Sequence, residues 1–181
     1  MSNFFKNSDI EASQAEAIVS ETLKNCDDGE LYLENHKSES IVLDDNKIKS
    51  STYNSDQGYG FRAVTGEVVA YSHSNDISKE SLKKSSDNLK DTLKSKKGTY
   101  HHEIPKTNSK YYENINPIEN KTFNSKIDLL NNVNNYLRSK GSIVNQVTAN
   151  FLGEHKSVEI IRSDNQVLKD DRPLVRFNVS V

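Results

Sequence analysis

Apolar positions in the first third of the chain change their spacing once, and the change divides helix from sheet. From residue 8 to 26, Ile10, Ala15, Ile18, Val19, Thr22, Leu23 and Cys26 recur at three- and four-residue steps. That spacing predicts an amphipathic helix, opened by the capping box Ser8-Asp-Ile-Glu11. Cys26 then falls on its buried face, as a core residue and not a nucleophile. From Glu30 the period becomes two, and LYLENH, ESIVLDD, KIKSSTY, GYGFRAV and EVVAYSH read as short strands rich in branched and aromatic residues. Asp44-Asp-Asn-Lys47 and Thr65-Gly66 supply turns, which makes an antiparallel meander.

Helical spacing returns between Ser78 and Lys97 through Leu82, Leu89 and Leu93, with Gly98 placed to end the helix. Residues 99 to 117 form a polar connector that holds two of the three prolines. A third helix is expected from about Thr122 to Lys140, with Phe123, Ile127, Leu130, Val133 and Leu137 inward and Gly141 after it. Beyond it Ile143, Asn145, Val147, Ala149 and Phe151 alternate with polar neighbours, and SVEIIRS, QVLKD and PLVRFNVSV follow as further strands. The fold class is therefore α+β. The expected organisation is a first domain over 1–98, a connector over 99–117, and the beginning of a second domain over 118–181, with the same order of helix and then strands. Because the sequence stops inside an unturned run, Leu174-Val-Arg-Phe-Asn-Val-Ser-Val181, the natural protein is expected to continue, leaving here an exposed edge with a tendency to associate.

Composition narrows the function classes. Only 33% of the 181 residues are hydrophobic, but Asn, Lys and Ser are spread throughout, which is a general bias and not a disordered tail. The 24 basic and 26 acidic residues are interspersed, so charge gives no reason to expect nucleic acid or an anionic membrane. The one basic run, Lys94-Ser-Lys-Lys97, reads as a helix end complementing the dipole. No stretch approaches the roughly 20 apolar residues of a membrane span, and the single cysteine cannot form an internal disulfide.

Four motifs invite chemistry. GTYHHEIPKT sets His101 and His102 beside Glu103, as at the start of a zinc peptidase helix. That helix needs another histidine one turn later, and Pro105 would break it, so the segment reads as a linker. Gly58-Tyr-Gly-Phe-Arg-Ala63 matches a dinucleotide fingerprint, but Val64-Thr-Gly-Glu-Val-Val-Ala70 after it is a hairpin and not a helix. Its glycines are instead expected in a strand, at a bulge or a close backbone approach. The acid pairs Asp27-Asp28, Asp44-Asp45 and Asp170-Asp171 lack the spacing of a calcium loop and read as turns. His36, His73 and His155 lie in separate strand or turn contexts, and spacing alone assembles no catalytic site.

Taken whole, Leu31 to Ser78 resembles the first domain of the TldD/PmbA family of zinc metallopeptidases, once called modulators of DNA gyrase. The resemblance is carried by Tyr53-Asn, Asp56-Gln-Gly58, Gly60, Arg62-Ala63, Gly66-Glu67 and Ala70-Tyr71. Asp171-Arg-Pro-Leu-Val-Arg176 with Val179-Ser-Val181 is similar to the family's central region, in the right order. The run Tyr-Asn-x-Asp-Gln-Gly is closer to the TldD side than to PmbA. The resemblance implies a cytoplasmic hydrolase that cleaves small or unfolded peptides with a TldE/PmbA paralogue. It also implies zinc held by an H-E-x-x-x-H helix and a later cysteine, all downstream, so neither catalytic nor metal residues are expected here and this chain alone would be inactive. Asp56, Gln57, Gly58 and Arg62, between two expected strands, are the candidates for a substrate path or for fixing the turn. The alternative is a stand-alone protein-binding module without activity. Nucleic-acid binding is the weakest reading, since no basic stripe with interleaved aromatics is present.

Overall fold

The computed structural model describes residues 4–6, 8–94, 98, 113–164 and 166–181. Its elements run α1 (Ala12–Leu23), β1 (Asp28–Asp44), β2 (Lys47–Thr65), β3 (Val68–Ser74), α2 (Lys79–Leu93), α3 (Phe123–Arg138), β4 (Thr148–Arg162) and β5 (Val167–Ser180). The strands form one five-stranded antiparallel sheet in the order β3-β2-β1-β4-β5. The α+β class holds, but the strands are fewer and longer than their sequence segments. LYLENH and ESIVLDD fuse into β1 of 17 residues, and KIKSSTY and GYGFRAV into β2 of 19. The polar stretches between those segments hold no proline or paired glycine to end a strand, so the ladder runs through them. Asp170-Asp171 likewise sits inside β5 and makes no turn. Ile143, expected at the start of a strand, is 87% exposed ahead of β4.

The chain divides into two compact units, each built from discontinuous segments. The first comprises Met1–Asn35, Asp56–Tyr111 and Ser157–Asp170. α1 is shorter than its apolar pattern: Glu11 is its N-cap, with the Glu11 amide donating to Gln14 Oε1 at 3.3 Å. Ser8 is not the cap. Its hydroxyl donates to the Ile77 carbonyl, and Asp9 accepts from the Lys79 amide at 2.9 Å, so both residues tie the chain to the start of α2. α2 opens on Ser78, whose hydroxyl accepts from the Ser81 amide at 3.2 Å, and buries Leu82, Leu89 and Leu93 as its spacing predicts. These pack with Ala15, Val19, Leu23, Leu31, Leu33 and Phe61 in one apolar cluster, each large side chain contributing about 1.5–3 kcal/mol of burial. β2 and β3 pair from Tyr59↔Ser74 to Thr65↔Val68. Gly66 alone in that turn takes a positive φ, 58°, which a turn with glycine at its first central position requires.

The second unit comprises His36–Ser55, Tyr112–Lys156 and Asp171–Val181. β1 turns into β2 at Asp45 and Asn46, both with positive φ (47° and 67°), the two-residue hairpin whose twist matches the strands. α3 is capped by Thr122, which accepts from the Ser125 amide at 3.2 Å. Its inward stripe differs from the expected one. Lys126, Leu130 and Asn134 are buried, while Phe123 is 42% exposed and Ile127, Val133 and Leu137 are half-buried. The reason is polar pairing: Lys126 Nζ donates to Glu39 and to the Ile118 carbonyl, and Asn134 Nδ2 to Asn46 Oδ1 at 2.6 Å. Lys126 occupies the core face with its Glu39 partner buried beside it, whereas Asn134 reaches outward to Asn46 in the exposed hairpin.

Candidate functional site

Arg62 stands on β2 among alternating residues. Tyr59, Phe61 and Ala63 point into the core and Gly58, Gly60 and Arg62 to the other face. On β1 the same alternation sends Leu31 and Leu33 inward and leaves Asp28 and Glu30 opposite Arg62. The Arg62 guanidinium grips Glu30 with two bonds, Nε to Oε1 and Nη2 to Oε2, both 2.7 Å, and Asp28 with Nη2 at 2.5 Å. Arg162, at the end of β4, donates to the other oxygen of Asp28 at 2.7 Å. Two cations and two anions thus close on one another. Glu30 above all, then Asp28, raises the Arg62 pKa above the ordinary arginine range. Burial pushes the Asp28 carboxyl up, but bonds and charge from Arg62, with Arg162, outweigh it and hold it below the usual carboxylate range.

The remaining candidates lie inside β2 and not between two strands. Asp56 and Gln57 are exposed and Gly58 is half-buried. A Cβ on Gly58 would sit 2.8 Å from the Ser74 carbonyl oxygen, and one on Gly60 2.6 Å from Tyr71 Oη. Tyr71 lies across the strand and stacks on His73 with ring centroids 5.8 Å apart. The glycines of the G-x-G-x-x-A motif therefore permit close approach across the β2–β3 ladder, as expected of a strand. Cys26 is half-buried three residues beyond α1, its Sγ 3.8 Å from the Thr22 carbonyl. Burial pushes its thiol pKa up, away from the thiolate form that a nucleophile needs.

In the second unit a groove of about 570 Å³ opens among Ile115, Pro117, Leu129, Phe151, Pro173 and Leu174. Lys126 forms part of its wall, with its ammonium committed to Glu39 and the Ile118 carbonyl and lying 5.6 Å from the centroid of Phe151. Such a groove can hold apolar groups, but it presents no nucleophile with a paired base. Among the described residues no group of three or more His, Cys, Asp or Glu is placed to hold a metal ion. His101, His102 and Glu103 lie outside the described residues. No helix among the described residues is long and apolar enough to cross a membrane.

Residues 29–94 match the family model of PmbA/TldA metallopeptidase domain 1, and residues 116–181 match that of the PmbA/TldA metallopeptidase central domain. The chain belongs to the PmbA/TldD metallopeptidase family. A metalloprotease TldD homolog of Buchnera aphidicola (Acyrthosiphon pisum) is 33% identical over 159 residues, covering 87% of this chain and 33% of that protein. Its counterpart in Haemophilus influenzae is 32% identical over 162 residues, again covering 87% and 33%. The chain thus spans about a third of the length of these relatives. Two solved structures share the fold at 12% identity. One, from Thermotoga maritima and described as a candidate modulator of a DNA gyrase, superposes with a TM-score of 0.71 over 92% of this chain and 41% of its own. The other, TldE from Thermococcus kodakarensis, gives 0.59 over 91% and 42%.

Within this PmbA/TldD chain the Arg62 cluster is split between the matches, Asp28 lying one residue before the first and Arg162 within the second. Sequence reasoning found Arg62 but missed Asp28, Glu30 and Arg162. A signal for two of them exists: acids two apart on a strand share one face and can meet one arginine of the neighbouring strand. Arg162 lies 134 positions from Asp28 and had no local signal.

Proposed function

We propose that this chain is the N-terminal, non-catalytic region of a TldD-type zinc metallopeptidase that cleaves small or unfolded peptides in the cytoplasm together with a TldE/PmbA-type paralogue. The observation that carries this reading is the succession of two family matches in the order domain 1, central domain, on a chain covering a third of proteins named metalloprotease TldD homolog. In this reading 1–98 is the first domain, 99–117 the connector and 118–181 the beginning of the central one. The metal ligands and the catalytic base belong to a later part of the protein. The described residues supply no ligand set that fits a zinc ion, so no chemical step is assigned to them.

The role given to this region is to shape the approach to the active centre and to contact the partner. Arg62 acts through its cluster, fixing strand positions. Asp56 and Gln57, exposed on the same strand just before Gly58, are the side chains left to meet a peptide. The decisive test isolates the native protein from its cells and measures its intact mass, its zinc content, and peptide cleavage with the paralogue added. A mass well above 20.5 kDa with zinc-dependent cleavage is expected. A native mass of 20.5 kDa without cleavage overturns it and leaves a protein-binding module.

A further inference from the structure

Residues 113–121 lead into α3 and, between Asn114 and Glu119, run across the neighbouring strands β5, β4 and β1 of the second unit. Asn114 donates from Nδ2 to Asp171 on β5, which leaves its Oδ1 for His155 Nε2 on β4, 3.1 Å away, and Glu119 takes the Lys37 ammonium of β1 at 2.7 Å. The stretch holds its own shape. Asn116 Oδ1 accepts from the amides of Ile118 at 2.9 Å and Glu119 at 3.3 Å, and its carbonyl accepts from the Asn120 amide at 2.9 Å, while Pro117 fixes one φ. Ile118 is buried, with Cγ1 3.5 Å from where a Cβ on Gly153 of β4 would stand. Ile115, Pro117, Asn120 and Lys121 are the share of the groove lining that this stretch supplies.

Two kinds of contact hold this turn to the sheet, and they differ in strength. Its ends are fastened by polar pairs in water: the Glu119 side chain is 61% exposed, and the bonds of Asn114 are exposed as well. Pairs of that kind contribute little against solvent and salt. Its centre is fastened by Lys126, whose buried ammonium donates to the Ile118 carbonyl at 2.7 Å and to Glu39 of β1. A hydrogen bond from a charged donor out of water is the strong one, and a carbonyl deprived of it has to reach water instead. Glu39 serves by keeping the ion in place.

We propose that residues 113–121 are a strap along one side of the groove and that Lys126 is its pin, so that the strap lifts, with the rest of the unit still folded, once that ammonium is gone. Lifting takes away the side of the groove that Ile115 and Pro117 supply and brings Ile118 into water. The turn around Asn116 travels intact, because its bonds lie within the strap. The buried ion pair thereby sets one conformation of the groove, a use of buried charge distinct from adding stability. This inference stands independently of the peptidase reading.

The test puts a thiol under the strap of the full 181-residue chain, by Ile118→Cys with Cys26→Ser, and follows its labelling by dithiobis(nitrobenzoate). The labelling rate reports the fraction of molecules in which the strap is open. Glu39→Leu together with Lys126→Met in that background should leave the urea midpoint near its parent's, because the freed Ile118 carbonyl turns to water, and should speed labelling about tenfold or more. Lys37→Met, which removes a contact at the strap's exposed end, should speed it by no more than about twofold, and added salt should have as little effect on the parent. Trypsin cleavage after Lys121 repeats the comparison with Ile118 in place, and should be faster in Glu39→Leu with Lys126→Met than in wild type. Labelling and cleavage unchanged in the doubly apolar variant overturn the proposal. So does labelling that rises only as far as a lowered urea midpoint accounts for, or a Lys37→Met chain labelled as fast as the doubly apolar one.

Discussion

In the first unit the core is closed by Leu31, Leu33, Phe61, Leu82 and Leu89 with hydroxyls at its margin, where Tyr59 Oη meets Ser81 and Ser85 at 2.8 Å. In the second, the corresponding cluster among the described residues is Ile41, Leu43, Leu130, Ala149 and Phe151, with the Lys126 ammonium and the Glu39 carboxylate buried beside it. Two side chains taken out of water as ions cost several kcal/mol each, and their attraction with added hydrogen bonds roughly offsets that. The second core thus spends a helix position on a pair that holds geometry more than it adds stability. An apolar core tolerates repacking, whereas a charged one fails when either partner is lost.

The sharpest way to break this contrast is to remove one partner. Glu39→Ala, which strands a buried ammonium, should lower the unfolding free energy by about 3–5 kcal/mol, whereas Glu39→Leu combined with Lys126→Met should fall within about 1 kcal/mol of wild type or exceed it. Urea unfolding followed by circular dichroism decides, and a double variant as weak as the single one would show that the pair adds stability after all. In the first unit Leu33→Ala should cost about 2–5 kcal/mol through the cavity it leaves, with no second polar substitution able to recover it; the same unfolding curves report this.

A smaller effect is expected at the glycine pair. Gly60→Ala, driven against Tyr71, should destabilise by about 1–3 kcal/mol, and Tyr71→Ala in the same chain should recover part of that loss. If the double variant is no better than Gly60→Ala, the close approach is not the reason for the glycine.

The smallest effect distinguishes the units by pH. Bonds from Gln146, Thr148 and Lys49 lower the Asp44 pKa from 3.8 to about 2. A carboxyl lowered in the folded state stabilises it above the unfolded pKa, and that contribution disappears as pH falls through the folded one. Wild type and Asp44→Asn should therefore differ at neutral pH and converge between 3.8 and about 2, which melting temperatures measured down the acid limb would show.

The class of fold and most core positions on α1, α2, β1 and β2 were legible because apolar spacing there coincides with burial: Ala15, Val19, Leu82, Leu89, Leu31 and Phe61 are all inside. The Asp45-Asn46 hairpin was legible for a local reason, since those residue types tolerate left-handed backbone. What failed did so where distant partners decide. α3 turns Lys126 and Asn134 inward because Glu39 and Asn46, 87 and 88 positions away, are there to receive them. No local pattern contains that. Strand lengths were misread because polar stretches such as His36-Lys37-Ser38 look like loops, although a strand with a neighbour on each side continues through them. At the candidate site, Arg62 was visible in its motif, but the ring of charge around it depends on which strands lie side by side.

The length of β1 has a consequence for how this sequence can change. Leu31 and Leu33 fill one core and Ile41 and Leu43 the other, and all four are at odd positions along one uninterrupted strand. A single residue inserted at Lys37, in its polar, half-buried middle, would leave every side chain in place chemically yet transfer one pair to the opposite face. The middle of the strand is therefore a ruler as well as a set of partners: besides the ion pairs that Lys37 and Glu39 make, its number of residues is fixed, so that insertions and deletions of odd length there should be purged even where a substitution is tolerated.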